Sequence, residues 1–213
     1  MNKKRSLIFT ICLSVLSMAI NAQGPGPVAP PPKNFALKFG LKAGVNLANI
    51  SNGETNINFT PGMKADFHLG AVANLHLGYK NEGSPVGTGM FGLQPELLYS
   101  RQGFVVDKEA YSLNYLTLPV MIKCYVADGI NIEAGPYISY LFGVSPNTTV
   151  IDNAQIKLSD IKGGLDAGVS IGVGYEMKMG LTAGARYMLG LSDMANNLAW
   201  KNNVITVSVG WLF

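Results

Sequence analysis

Leu165–Glu176 reads LDAGVSIGVGYE. Leu165, Ala167, Val169, Ile171, Val173 and Tyr175 alternate without a break against Asp166, Gly168, Ser170, Gly172, Gly174 and Glu176. A period of two puts successive side chains on opposite faces of a strand. One face of this strand is apolar; the other carries glycine, a hydroxyl and two carboxylates.

The same two faces recur on either side. On the C-terminal side, Leu181, Ala183, Ala185, Tyr187, Leu189 and Leu191 oppose Thr182, Gly184, Arg186 and Gly190, and Ile205, Val207, Val209, Trp211 and Phe213 close the chain. On the N-terminal side, Ile132, Ala134, Ile138 and Tyr140 oppose Asn131, Glu133, Gly135 and Tyr137. Before them, Leu116, Leu118, Val120, Ile122, Cys124 and Val126 oppose Tyr115, Thr117, Met121 and Lys123. Three more segments lie near Met90–Arg101, Asp66–Tyr79 and Phe35–Leu47, with Gln94 and Glu96, then His68 and His76, then Lys38 and Lys42 on their polar faces. About eight strands of some ten residues result, the length a tilted strand needs to cross a bilayer.

Connections alternate in length. Those near Ser51–Lys64, Gln102–Asn114, Ser145–Gly163 and Ser192–Asn202 are long and polar, whereas Ala127–Gly129 and Met177–Gly180 are short; Lys80–Gly89 is longer than this pattern wants. Short periplasmic turns and longer external loops are the outer-membrane arrangement. The composition agrees: 48% of residues are hydrophobic and 14% charged, so the apolar surplus has to lie on strand faces.

Alternation alone also suits a soluble, lipocalin-like barrel with the apolar face inside. Volume decides between them. An eight-strand barrel has room for side chains and little else, and a glycine-rich face with a few long charges fits that space. Glycine facing water would only weaken the strands. The expected fold is therefore all-β, a closed antiparallel up-and-down transmembrane barrel with its apolar face in lipid. Closure is required because an open edge would leave backbone groups unpaired in hydrocarbon. Tyr79, Tyr99, Tyr140, Tyr175 and Tyr187 suit the interfacial girdles. Pro95, Pro119 and Pro136 fall inside strands, where each removes a ladder donor, and bulges or early strand ends are the expected accommodation.

The first residues read as a signal peptide, 1–22, with Lys3, Lys4 and Arg5 before an apolar run from Leu7 to Ile20. A Pro/Gly-rich linker, 23–34, is expected in the periplasm, followed by the barrel domain, 35–213. Without the signal peptide the 16 basic residues fall by three, leaving 13 against 13 acidic ones. A neutral chain gives no electrostatic case for nucleic acid. Cys124 is then the lone cysteine, and parity turns it toward lipid.

Four stretches carry a more specific likeness: FGLKAGVNLANI at Phe39–Ile50, LQPELLYS at Leu93–Ser100, YLTLPVMIK at Tyr115–Lys123 and AGPYISYL at Ala134–Leu141. In order and spacing they resemble the PorT-type outer-membrane β-barrel family of Bacteroidetes. The resemblance implies the barrel, the outer-membrane location and in-strand prolines, and it points to secretion-system or periplasmic proteins as partners. No catalytic residues and no cofactor come with it. The ending VSVGWLF, with Trp211 and Phe213, resembles the C-terminal signal read by outer-membrane assembly machinery.

Inward parity collects Lys38, Lys42, Lys123 and Arg186 with Asp66, Glu96, Glu133, Asp166 and Glu176. Charges of both signs in a narrow lumen must pair, so the expected role of this network is to plug the barrel. A selective pore would show one dominant sign. A left-handed Gly129 in a three-residue turn sets Lys123 opposite Glu133 as a cross-strand pair. The expected function is thus a structural or secretion-associated barrel in contact with outer-membrane lipid. A narrow or gated transport pore is the alternative. An outer-leaflet lipid enzyme built on His68 with Ser100 or Ser192 is the weakest reading. His68 and His76 are about 26 Å apart along one strand and cannot share a metal. Phe104, Tyr111 and Trp200 either form an external contact surface or pack on one another at the rim.

Overall fold

The computed structural model describes residues 35–52, 62–77, 91–106, 109–145, 149–151, 154–156, 164–192 and 200–213. Its strands are β1 (Phe35–Asn52), β2 (Gly62–Leu77), β3 (Phe91–Val106), β4 (Glu109–Tyr125), β5 (Ile130–Ser145), β6 (Thr149–Ile151), β7 (Ala154–Ile156), β8 (Leu165–Glu176), β9 (Leu181–Gly190) and β10 (Trp200–Leu212). Eight of them close into one antiparallel barrel in the order β1-β10-β9-β8-β5-β4-β3-β2, and β6 pairs with β7 as a separate two-stranded ribbon. The signal peptide and linker assigned to 1–34, and Tyr79, lie outside the described residues.

Parity settles which face looks out. Leu41 is 64% exposed and Val169 45%, whereas Asn46 and Glu96 on the opposite face are 0% and 2%. The apolar side chains form the outer wall and the polar ones the interior, the reverse of a soluble barrel. Cys124 is a free thiol on the outer face between Ile122 and Val126. Phe67, Tyr99 and Phe142 make a chain of ring contacts at 5.8 and 6.0 Å.

The strands are staggered as a barrel requires. Ala48 pairs with Val204, Val204 with Met188, Met188 with Ser170 and Ser170 with Gly135. Carried on through Met121, Gln94 and Asn74, the same register returns to β1 at Lys38, well below its starting point. This offset decides which interior side chains share a level.

Two expectations are corrected. The prolines make no bulge and end no strand. Pro95 pairs with Val120, Pro119 with Tyr137 and Pro136 with Val169, all in unbroken register. Each proline interrupts the ladder on one side only: pairing of β2 with β3 skips from Val72 to Leu75, that of β3 with β4 from Pro95 to Leu98, and that of β4 with β5 from Pro119 to Ile122, with no change in offset. An antiparallel residue points its N–H at one neighbour, so a missing donor opens one seam and leaves the other intact. The actual register shifts lie elsewhere, between Met63 and His68 and between Asn114 and Tyr115.

The second correction concerns Gln102–Asn114. It continues the barrel wall as a paired extension, with Gly103 opposite Ser112 and Val106 opposite Glu109. Gly103, at φ +151°, is what lets the extension form, since a Cβ there would lie 1.8 Å from the Tyr111 carbonyl oxygen. Phe104 and Tyr111 are cross-strand partners, stacked at 5.2 Å and both buried. They pack on one another and offer no external surface. At the opposite end Gly129 has φ +76°, and the turn sets Lys123 opposite Glu133.

Candidate functional site

Among the described residues the interior gathers the nine charged side chains picked out by parity, and the register sorts them into tiers. Nearest the short turns, β8 ends on Glu176, whose carboxylate is 1% exposed. Lys38 Nζ donates to its Oε1 at 3.1 Å, while Asn74 Nδ2 and the Tyr125 hydroxyl donate to Oε2 at 3.2 and 3.1 Å. His76 Nε2 stands 2.9 Å from the Tyr125 hydroxyl, and the two rings stack.

The middle tier is built around Arg186. Its Nη1 and Nη2 reach Glu96 at 2.9 and 2.6 Å as a two-pronged fork, and its Nε and Nη2 also hold Glu133, the latter at 3.1 Å. Lys42 donates to Glu96 at 3.1 Å, and Gln94 lies against the same carboxylate. Lys123 approaches Glu133 only to 3.9 Å. The planar guanidinium is suited to this double duty, because its five donors match two carboxylates at once. The neighbour pair expected from the turn is present, but Glu133 makes its close contacts with Arg186.

Above the fork the charges give way to amides and hydroxyls. Asn46 Oδ1 lies 2.7 Å from His68 Nδ1, and Ser208 Oγ lies 2.9 Å from Nε2. Asn46 Nδ2 donates to Ser100 Oγ at 3.0 Å and to the main-chain carbonyls of Phe67 and Arg101 at 3.2 and 2.7 Å. Phe67 and Arg101 lie within the β2/β3 register shift, where these two strands do not pair, so one buried side chain bridges them there. At the outer rim Asp66 is held by Lys64, with Arg101 Nε at 3.4 Å. Asp166 accepts from Ser192 Oγ at 2.7 Å, and Asn202 bonds Gln102 across the mouth.

All nine charged residues singled out from parity therefore line the interior, in three groups. His68 has both ring nitrogens occupied by Asn46 and Ser208. Ser100 lies opposite His68 across β2/β3 but its hydroxyl bonds Asn46 and Gln102, and Ser192 is engaged with Asp166. The residues that parity did not single out are the neutral partners Asn46, Asn74, Gln94, Tyr125 and Ser208. Their signal was available as polar residues on the glycine-rich face. Cavities of about 30 and 10 Å³ remain below and above the fork, room for a few waters at most. Among the described residues no group of three or more His, Cys, Asp or Glu could hold a metal.

Comparison with solved structures gives the Ail attachment invasion locus protein of Yersinia pestis at 10% identity and a TM-score of 0.43, covering 83% of this chain and 98% of that one. Neisserial surface protein A aligns at 14% identity and a TM-score of 0.49, covering 84% and 99%. The sequence matches no curated protein. Residues 21–196 match the family described as outer membrane protein beta-barrel domain. With most of its length inside that match and its apolar wall facing outward, the chain belongs to the outer membrane protein beta-barrel family and resides in the cell outer membrane.

Proposed function

We propose that the protein is a sealed, non-enzymatic barrel that serves as a structural or secretion-associated component, acting through its ends and its membrane neighbours and not through its lumen. The carrying observation is the Arg186 fork, which joins opposite walls at mid-height, with a cavity of about 30 Å³ beside it among the described residues. Charges of both signs, paired across the lumen, form a barrier to ions of either sign. The non-enzymatic part is supported by His68, whose two nitrogens are both engaged and whose ring is 3% exposed. The secretion part is supported by the PorT-type likeness of the stretches at Phe39–Ile50, Leu93–Ser100, Tyr115–Lys123 and Ala134–Leu141.

Reconstitution in planar bilayers tests the seal. The wild-type protein should give no steady single-channel openings, and Arg186→Ala should introduce them. Steady openings from the wild type would replace this reading with the transport pore. The secretion assignment is tested by cross-linking in intact cells: recovery of secretion-system components supports it, and recovery of lipid and assembly proteins alone removes it.

A further inference from the structure

The middle tier is not electrically balanced. Lys42, Lys123 and Arg186 meet two carboxylates, Glu96 and Glu133. Both oxygens of Glu133 are already taken by Arg186. Lys123, with a side chain 6% exposed, approaches the same carboxylate only to 3.9 Å, beyond hydrogen-bond reach. A buried ammonium needs a counter-charge and hydrogen-bond acceptors, since desolvation of an unpaired ion costs several kcal/mol.

The cavity of about 30 Å³ lies where that counter-charge is missing. Lys42, Lys123 and Arg186 all line it, together with the amides of Gln94 and Asn131 and the hydroxyl of Thr182. Glu133 lines it as well and is the only carboxylate that does so. Three cationic side chains thus face one carboxylate around a gap with room for a small ion, while the Gln94 and Asn131 amide nitrogens donate to Glu96 and to the Gly129 carbonyl.

We propose that this cavity binds one small monovalent anion of chloride's size, which neutralises Lys123 and completes the middle tier. The anion accepts from the Lys123 ammonium, with Lys42 and the Thr182 hydroxyl among the lining groups. This assignment stands apart from the question of conduction, because a buried counter-ion completes the tier whether or not the lumen passes solutes.

The test uses full-length protein folded in detergent micelles, in sodium bromide or sodium gluconate at equal ionic strength. At about ten times the dissociation constant, bromide should raise the melting temperature by roughly 3–6 °C over gluconate. Lys123→Gln should abolish that difference, and Lys38→Gln, which alters the tier below, should keep it. Crystals grown in bromide should show an anomalous peak within hydrogen-bond reach of Lys123 Nζ, a readout that holds even if the Lys123 variant does not fold. Equal melting in the two salts, a bromide effect that survives Lys123→Gln, or water without anomalous signal at that position would each overturn the site.

Discussion

Arg186 on β9 binds Glu96 on β3, four places away in an eight-strand wall and hence on the opposite side of the lumen. The two ends of this contact are not equivalent. Replacing Glu96 by Gln leaves three cations facing Glu133 alone, whereas Arg186→Met leaves Lys42 and Lys123 facing two carboxylates. Glu96→Gln should therefore cost about 3–5 kcal/mol, the range for stranding buried charge. Arg186→Met should cost less, about 1–3 kcal/mol. Urea unfolding in micelles measures both, and a larger loss for the arginine variant would refute the charge argument.

The neighbour pair Lys123–Glu133 was legible in the sequence because a short turn and a period of two fix the register locally. The contact between Arg186 and Glu96 was not. It depends on the stagger accumulated around the whole wall, the offset that carries Ala48 round to Lys38, and no local pattern encodes that sum. The inward set of charges could thus be named from parity while their partners across the lumen could not. The prolines were misread for a related reason: parity says that a donor is lost but not toward which neighbour it pointed.

Asn46 is the residue most worth removing from the upper tier. It is wholly buried and donates to the carbonyls of Phe67 and Arg101 beside the β2/β3 shift. Asn46→Ala leaves those carbonyls and the His68 ring short of partners, at a cost of about 2–4 kcal/mol given about 1–3 per stranded buried group. The damage should be local. Amide exchange should rise in Met63–Leu69 and Tyr99–Gly103 and stay low in β8 and β9. Uniform loss of protection, or none, would contradict the bridging role.

Arg101 offers a contrast at the rim. It stands 3.4 Å from Asp66, but its side chain is 40% exposed, and Lys64 already holds the same carboxylate. An exposed partner in a high-dielectric setting contributes little. Arg101→Ala should change stability by less than about 1 kcal/mol, and whatever effect exists should fade as salt rises. Glu96→Gln, by contrast, should retain most of its cost at high salt, because the Glu96 side chain is fully buried and its partners are screened little. A rim variant as costly as the middle-tier one would show that the tiers are wrongly ranked.

The glycines give the last discrimination. Lumen volume alone accounts for their abundance on the inward face only if an added methyl is tolerated wherever the lumen has space. The structure supplies a different constraint at Gly70. A Cβ there would lie 2.0 Å from the Leu97 carbonyl oxygen and 2.8 Å from the Leu98 Cα, both main chain of the adjacent strand. Backbone in a closed sheet cannot yield without breaking its own ladder, so the site requires glycine for close approach of strands. At Gly62 on the same strand the nearest atom to an added Cβ is 3.5 Å away, an ordinary contact. Gly70→Ala should therefore destabilise the barrel by about 1–3 kcal/mol through overpacking, while Gly62→Ala should lie within about 0.5 kcal/mol of wild type. Equal unfolding midpoints for the two variants would return the explanation to lumen volume.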